Sequence, residues 1–328
     1  MTRDTYHEER LVERQGLVPR QLSASGPRPR ARRALILAAG ASSRFVPISL
    51  DYPKALAPVR GQRLLERLIQ QLLEAGIEEI YLLLGYKADC YQELARRYSL
   101  RCIENPDYAT CNNISTLYYA RHLLEEAYIC VNDLYSEVNP FLLGGPDNAV
   151  EDPSFYDVVY SPTETQEWCV ELSGRGEIQD VHIGAQCGYY LQGHAYFNRD
   201  FGRRFGAILE EYYGPQKRAR ARRDWYWENL YAVHRPELPL YARCLAAQSM
   251  HEFDRVEDLL AFDPDFLRRE VPPTWANLAA QLRAPAEDLK AWDLIREGTV
   301  AVGCSFSCRG RRYRYLLSDR RLELLEEE

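Results

Sequence analysis

Between residues 34 and 133, short apolar runs alternate with segments of helical periodicity. No other feature of the chain narrows its fold as much. ALILAA (34–39), IEEIYLLLG (77–85), LRCIE (100–104) and AYICVND (127–133) have the length and apolar content of buried parallel strands. Between them, RLLERLIQQLLEAG (63–76, closed by Gly76), DCYQELARRY (89–98) and NISTLYYARHLLEE (113–126) read as helices. Such strict turn-taking predicts βαβ units. The expected class is α/β: a doubly wound, mostly parallel, Rossmann-like sheet covered on both faces. Ligands of such sheets sit at the carboxyl ends of the strands, and each candidate site below falls at such an end.

The second half is less regular. FYDVVY (155–160), EWCVEL (167–172), EIQDVHIG (177–184) and CGYYLQGHAYFN (187–198) read as strands of a small mixed β part. A charged helix follows at about 199–213, then the basic connector QKRARARR (216–223), DWYWENLYAVH (224–234), a strand LYARCLA (240–246) and HEFDRVEDLLAF (251–262). After VPPT (271–274) the pattern resets as an α+β extension, with WANLAAQLRA and AEDLKAWDLIRE helix-like and TVAVGCSFSC and RRYRYLLS strand-like. The expected division is a disordered or linker-like tail over 1–32, a main domain over 33–270 and a C-terminal extension over 271–328. That extension could pack on the main domain, pair two copies as a homodimer, or join a larger assembly.

With 328 residues, 46% of them hydrophobic, the chain can bury one large core or two ordinary ones. A net charge of −7 argues against a general nucleic-acid binder. No window approaches the roughly 20 apolar residues of a membrane span. The N-terminus has no apolar signal core, so the expected location is cytoplasmic. Nine cysteines are scattered and odd in number, which fits reduced core residues better than a disulfide framework. Cys304 and Cys308 have three residues between them and no second ligand pair, a poor zinc site.

The chemistry concentrates in RRALILAAGASSRFVPISLDYPKALAPV (32–59). A strand runs into a turn of small residues whose backbone N–H groups can converge on phosphate oxygens. Gly40 is read as the position where a Cβ would be resisted. Arg44 and Lys54 add positive charge, Arg44 with a fork suited to phosphate. The stretch is neither GxxxxGK[ST] nor GxGxxG, so the P-loop ATPase and dinucleotide readings lose their main support.

These segments resemble the sugar-nucleotide-type nucleotidyltransferases, whose signature is a strand, then AAGxGxR, then a downstream PK and an apolar residue. Here they read AAGASSR and PKAL, with Ser42 where that family usually has glycine. The resemblance covers roughly residues 33 to 265. It implies that Ala38, Ala39, Gly40, Ala41, Ser42, Ser43 and Arg44 hold the nucleotide's phosphates, and that Lys54 contacts phosphate at the reacting centre. It implies that Gly85 and Tyr86 border the base. VND and EFDRVEDL resemble the two segments whose aspartates share a metal, implying Asp133 and Asp254, with Glu252 as an alternative ligand and Mg2+ as the ion. Polyphosphate chemistry independently calls for a cation held by one or two carboxylates. Asp254 could equally cap the helix after it.

NNIST (112–116) resembles a stretch of the choline-phosphate-activating branch. There Asn113 and Ser115 would lie near the nucleotide, or cap the helix that begins at this point. An alkylammonium acceptor calls for aromatic faces and one carboxylate. DWYWENLY packs four aromatics and two acids into eight residues, although most aromatics serve packing. Trp168, Tyr190, Trp227 and Glu228 match segments of the bacterial choline-phosphate cytidylyltransferases and their phosphoethanolamine and 2-aminoethylphosphonate relatives. That resemblance implies acceptor-binding roles for all four, with CTP as donor. Two other readings stand: a nucleotidyltransferase for a sugar or polyol phosphate, and a non-catalytic nucleotide-binding regulatory subunit.

Overall fold

The computed structural model describes residues 24–147 and 151–327. Residues 1–23 of the expected tail lie outside that range. Residues 24–32 run against the segment 142–152: Gly26 and Gly145 exchange backbone bonds with Gly145 and Pro27, and Arg28 Nε donates to the Leu142 carbonyl.

The elements along the chain are β1 (Arg33–Ala38), α1 (Ile48–Asp51), β2 (Pro58–Val59), β3 (Gln62–Arg63), α2 (Leu64–Glu74), β4 (Glu79–Leu84), α3 (Gln92–Arg97), β5 (Arg101–Glu104), α4 (Asn113–Tyr119), β6 (Ala127–Val131) and β7 (Leu134–Ser136). There follow β8 (Phe155–Ser161), β9 (Thr165–Leu172), β10 (Ile178–Ala185), β11 (Gly188–Phe197), α5 (Arg199–Tyr213), α6 (Trp227–His234), β12 (Tyr241–Leu245), β13 (Met250–Glu252), α7 (Val256–Phe262), α8 (Phe266–Arg269) and α9 (Pro273–Leu282). The chain ends in β14 (Leu289–Glu297), β15 (Val300–Cys308), β16 (Arg311–Leu316) and β17 (Arg321–Glu327).

β1 lies between β4 and β6, with β5 outside β4, and these four strands run parallel. β11 joins the sheet antiparallel and forks it. Ala195–Phe197 pair with β6, whereas Tyr189 and Tyr190 pair with β9. β8 covers the other edge of β11, and β12 runs parallel to β8. The fork leaves a mouth between the carboxyl end of β6 and the start of β9. Helices α4, α5 and α6 bury one face through Ile114, Leu117, Phe201, Phe205, Trp227 and Tyr231. On the other face α2 and α3 bury Leu65, Ile69, Leu72 and Leu94.

The extension forms α9 and a four-stranded antiparallel sheet, β14 to β17 in order. Here AEDLKAWDLIRE, expected as a helix, is mostly strand β14. Leu289 and Trp292 are its buried residues, three apart, which mimics a helical face. The cause is a bulge: Lys290 pairs with Ser307 but Asp293 with Ser305, so one extra residue is absorbed, and Ala291 has φ +52°. The helix expected over 113–126 also stops early, at Tyr119, with a 3₁₀ turn at Arg121–Leu123. Cys304 and Cys308 pack in the extension's core, and all nine cysteines are free thiols.

Candidate active site

Beyond β1 the loop Ala39–Arg44 turns over the strand ends. Gly40 is not its special position, contrary to expectation: its φ is ordinary, and a Cβ there would meet nothing within 4 Å. The left-handed residue is Ser42, with φ +49°. That is where the resembling family has glycine, and a residue with a Cβ pays about 1–2 kcal/mol for this conformation. The turn closes when Phe45 N–H donates to the Ser42 carbonyl (2.9 Å), and Ser42 Oγ accepts from Lys54 N–H (3.4 Å). Ser42 thereby ties the loop to the PK segment.

Gly85, just after β4, is where a glycine is required by space. A Cβ would lie 2.6 Å from the Tyr108 side chain and 2.7 Å from the Ala39 carbonyl oxygen. Tyr86 N–H donates to that same carbonyl (3.0 Å). Its hydroxyl donates to the Ser49 carbonyl (3.0 Å), and Lys87 Nζ donates to the carbonyls of Ser49 (3.3 Å) and Leu50 (2.5 Å). Tyr86 and Lys87 therefore clamp α1, in the segment joining Arg44 to Lys54.

The charged residues meet at the mouth of the fork. β7 and β13 pair as a two-stranded ribbon, and Phe253 N–H donates to the Asp133 carbonyl (3.1 Å), which brings Asp133 and Asp254 together across 121 residues of sequence. Lys54 Nζ lies 3.1 Å from Asp133 Oδ2 and 3.9 Å from Asp254 Oδ1. Arg44 Nη2 donates to the same Asp254 oxygen (2.8 Å). Asp254 does not cap α7. Asp258 does that work, accepting from the N–H groups of Asp254 and Arg255, which leaves the Asp254 carboxylate facing the cleft.

Asp133, Glu252 and Asp254 each offer an oxygen, all within 4.8 Å of one another. Glu252 is the exposed member of the three. Even so, withdrawal from bulk water between the cleft walls, then the charges of Asp133 and Asp254, push its carboxyl up to about 8. Three crowded carboxylate oxygens are the donor set of a hard divalent cation, whose charge would relieve this repulsion. Glu167 on β9, which sequence reasoning did not single out, feels the charges of Asp254 and Arg44. Burial, then the charge of Asp254, raises its carboxyl, while Arg44 lowers it.

The expected acceptor residues are only partly gathered. Glu228 is buried: Tyr156 OH donates to its Oε1 (3.1 Å) and its Oε2 has no hydrogen-bond partner. Burial pushes its carboxyl up to about 7. Trp168, half-buried on β9, meets Tyr226 edge to face at 6.2 Å.

Trp227 belongs to the core instead. It is 1% exposed, stacked on Tyr156 at 5.4 Å and packed against Phe197 and Phe205. Tyr190 pairs with Cys169, which places it on the Glu167 face of the β9 ladder, opposite Trp168. Tyr156, which sequence reasoning missed, is the closest partner of Glu228. It sits in an alternating strand, FYDVVY, with nothing in its spacing to set it apart from core tyrosines.

Asn113 and Ser115 serve the scaffold. Asn112 caps α4 through its side-chain oxygen. Asn113 Oδ1 accepts from Trp227 N–H (2.8 Å), fixing the start of α6 and so the place of Glu228. Ser115 is fully buried: it donates to the Asn112 carbonyl and accepts from Asn105 Nδ2, both at 2.9 Å.

Residues 34–132 match the MobA-like NTP transferase domain. That stretch is of the nucleotidyltransferase kind. The chain is similar to the choline-phosphate cytidylyltransferase of Streptococcus pneumoniae, 28% identical over 226 residues that span 69% of this chain and 94% of that one. It is equally similar to the 2-aminoethylphosphonate cytidylyltransferase of Lancefieldella rimae, 28% identical over 237 residues, 71% of this chain and 93% of the relative. Among solved structures, the CTP:phosphocholine cytidylyltransferase from Streptococcus pneumoniae superposes with a TM-score of 0.64 at 28% identity, covering 71% of this chain and 98% of that chain. The inositol-1-phosphate CTP transferase from T. maritima shares the fold, with a TM-score of 0.56 at 16% identity over 70% of this chain and 92% of its own. No described helix is long and apolar enough to cross a membrane.

Proposed function

We propose that the protein transfers a cytidylyl group from CTP to a small amine-bearing phosphate or phosphonate, of the phosphocholine, phosphoethanolamine or 2-aminoethylphosphonate type, and releases pyrophosphate. The observation that carries this reading is the meeting of Arg44 and Lys54 with Asp133, Glu252 and Asp254 at the end of the β1 loop. It gives cations for phosphate oxygens and carboxylates for a metal in one cleft. The relatives named above act on choline phosphate and 2-aminoethylphosphonate, and the bare, buried Oε2 of Glu228 suits the ammonium of such acceptors.

The acceptor needs no general base, because a phosphomonoester's second pKa is about 6 and its oxygens are already ionised at neutral pH. One acceptor oxygen attacks the α-phosphorus of CTP in line. A new P–O bond forms, the bond from the α-phosphorus to the bridging oxygen breaks, and pyrophosphate leaves with that electron pair. Catalysis is then positioning and charge stabilisation. In this reading Lys54 offsets charge at the α-phosphate and Arg44 holds the departing pyrophosphate. The backbone of Ala38–Ser43 cradles phosphate oxygens, and Gly85 and Tyr86 border the nucleoside. When bound to Asp133 and Asp254, with Glu252 beside them, Mg2+ would neutralise phosphate charge. Glu228 draws the acceptor's ammonium toward Tyr156, with Trp168 and Tyr226 supplying aromatic faces.

The test is pyrophosphate release with CTP and Mg2+, offering phosphocholine, phosphoethanolamine, 2-aminoethylphosphonate and glucose 1-phosphate separately. Release with an amine-bearing acceptor supports the reading and names the substrate. Release with glucose 1-phosphate alone overturns the acceptor assignment, and silence with all four overturns the reaction.

A further inference from the structure

Residues 45–53 join Arg44 to Lys54, and α1, four residues long, is the only helix or strand in that stretch. So short a helix does not hold itself in water. The place of both cations therefore depends on what grips the segment from outside. On one side the Tyr86 hydroxyl donates to the Ser49 carbonyl, and Lys87 Nζ donates to those of Ser49 and Leu50. On the other side stands the C-terminal extension. Phe45, Ile48 and Leu50 share one buried core with Trp275, Trp292 and Phe306. The Trp292 ring bridges the extension's part of that core, 5.2 Å from Trp275 and 4.6 Å from Phe306.

Apolar packing has no direction of its own, and a polar latch supplies one. Thr274 N–H and the Thr274 hydroxyl donate to the two carboxylate oxygens of Asp51, at 2.9 and 2.6 Å. Two donors on one carboxylate fix its orientation as well as its distance. The start of α9 explains why the latch forms here. That helix opens with Pro272 and Pro273, and neither proline has a side chain that can accept from the free N–H groups of the first turn. Asp51 supplies the acceptor from a distant part of the chain, with its charge at the positive end of α9. At the carbonyl end of α1 the same charge gains nothing from its own helix. Asp51 is thus placed for the extension, and both partners of the latch are half-buried.

We propose that Thr274 is a positioning residue for nucleotidyl transfer: through Asp51 it fixes the segment that sets Arg44 and Lys54 in the cleft. The C-terminal extension is then a working part of the site rather than an appended module. This rests on the reading of Arg44 and Lys54 as the cations that meet the nucleotide's phosphates.

The experiment uses the full chain carrying Thr274→Val, Thr274→Ser, Asp51→Ala, or Thr274→Val with Asp51→Ala. Pyrophosphate release with CTP, Mg2+ and an amine-bearing acceptor gives kcat and both KM values, and calorimetry gives CTP affinity. All are read well below each variant's melting temperature, so that only folded protein counts. Thr274→Val keeps the shape and loses the hydroxyl. It is expected to lower kcat/KM for CTP about tenfold, since small misplacements remote from the reacting atoms carry costs of that order. The acceptor KM stays unchanged, because Glu228 is held by α6 and Tyr156 rather than by this segment. Thr274→Ser recovers most of the loss. The double variant is no worse than Asp51→Ala alone, because both changes break one contact. If Asp51→Ala does not fold, the valine and serine variants decide. Wild-type kcat/KM in Thr274→Val, whatever its melting temperature, overturns the inference, since the latch would then only fasten the extension. A loss that serine does not recover, an acceptor KM that rises in step, or additive losses in the double variant overturn it as well. A wild-type chain that binds CTP but transfers to no acceptor overturns the transfer reading alone, and the CTP affinity of Thr274→Val then decides the latch. A wild-type chain that binds no CTP and releases no pyrophosphate overturns both.

Discussion

The two sides of the cleft are built in opposite ways. On the phosphate side, charged groups reach the mouth from four separate segments, and each is held by local backbone geometry: the Ser42 turn, the β7–β13 ribbon, the Asp258 cap. On the side proposed for the acceptor, one buried carboxylate sits among aromatic rings that also make up the main core. A phosphate site must be wet and cationic, so its residues stand apart from any packing pattern. A site for a small ammonium is itself apolar with one counter-charge, and so it blends into the core around it.

The widest gap between the sides is expected from Lys54→Ala. Losing a cation aimed at the developing charge costs on the order of 10²–10³ in kcat, with the circular dichroism spectrum and melting temperature close to wild type. A drop in melting temperature as large as the drop in rate would mean that Lys54 is structural. On the acceptor side the reverse split applies to Trp227. Truncating a fully buried tryptophan costs about 3–5 kcal/mol of stability, so Trp227→Ala should lower the melting point sharply, whereas Trp168→Ala should raise the acceptor KM and leave the melting point nearly unchanged. Equal destabilisation by both would place Trp168 in the core as well.

Glu228 sharpens the comparison further, because it is buried in the core and proposed for the acceptor site. Glu228→Gln removes the counter-charge. For an acceptor with a primary ammonium, a hydrogen bond to a charged group is worth about 1.5–3 kcal/mol, so its KM should rise by roughly ten- to a hundredfold, with the KM for CTP unchanged.

Its pH behaviour has a definite sign. The folded carboxyl titrates near 7 against an ordinary 4.5, so the ligand-free native state holds a proton that the unfolded chain has lost. Stability therefore falls as pH rises from about 4.5 to beyond 7. Glu228→Gln should flatten that part of the melting-temperature profile. Acceptor binding needs the ionised form, so the wild-type acceptor KM should rise as pH drops below 7, with a weaker rise in the glutamine variant, where the contribution of Glu228 is gone. Parallel pH profiles in the two proteins would remove Glu228 from the acceptor site.

The smallest effect is expected at Ser42. Glycine relieves the left-handed strain of about 1–2 kcal/mol but gives back about 0.5–1 kcal/mol in unfolded-state entropy and loses the hydroxyl that accepts from Lys54 N–H. Ser42→Gly should therefore shift the melting temperature little and keep kcat near wild type. A large loss of activity would show that this hydroxyl, rather than the turn alone, orders the loop.

What the chain announces in one dimension is the part governed by local chemistry. Strand and helix alternation from β1 to β6, the small-residue loop with Arg44 and Lys54, and an aspartate at a strand end are short-range patterns, because side-chain periodicity and backbone turns act within a few residues. The tertiary structure decided the rest. It gathered Asp133, Glu252 and Asp254, moved the left-handed position from Gly40 to Ser42, and sent Trp227 inward while leaving Glu228 beside Tyr156. It also turned a helix-like stretch into bulged strand β14, and set the extension against the loop wall. Each of these depends on which distant surfaces compete for the same apolar area or the same charge, and that competition is settled only when the whole chain packs.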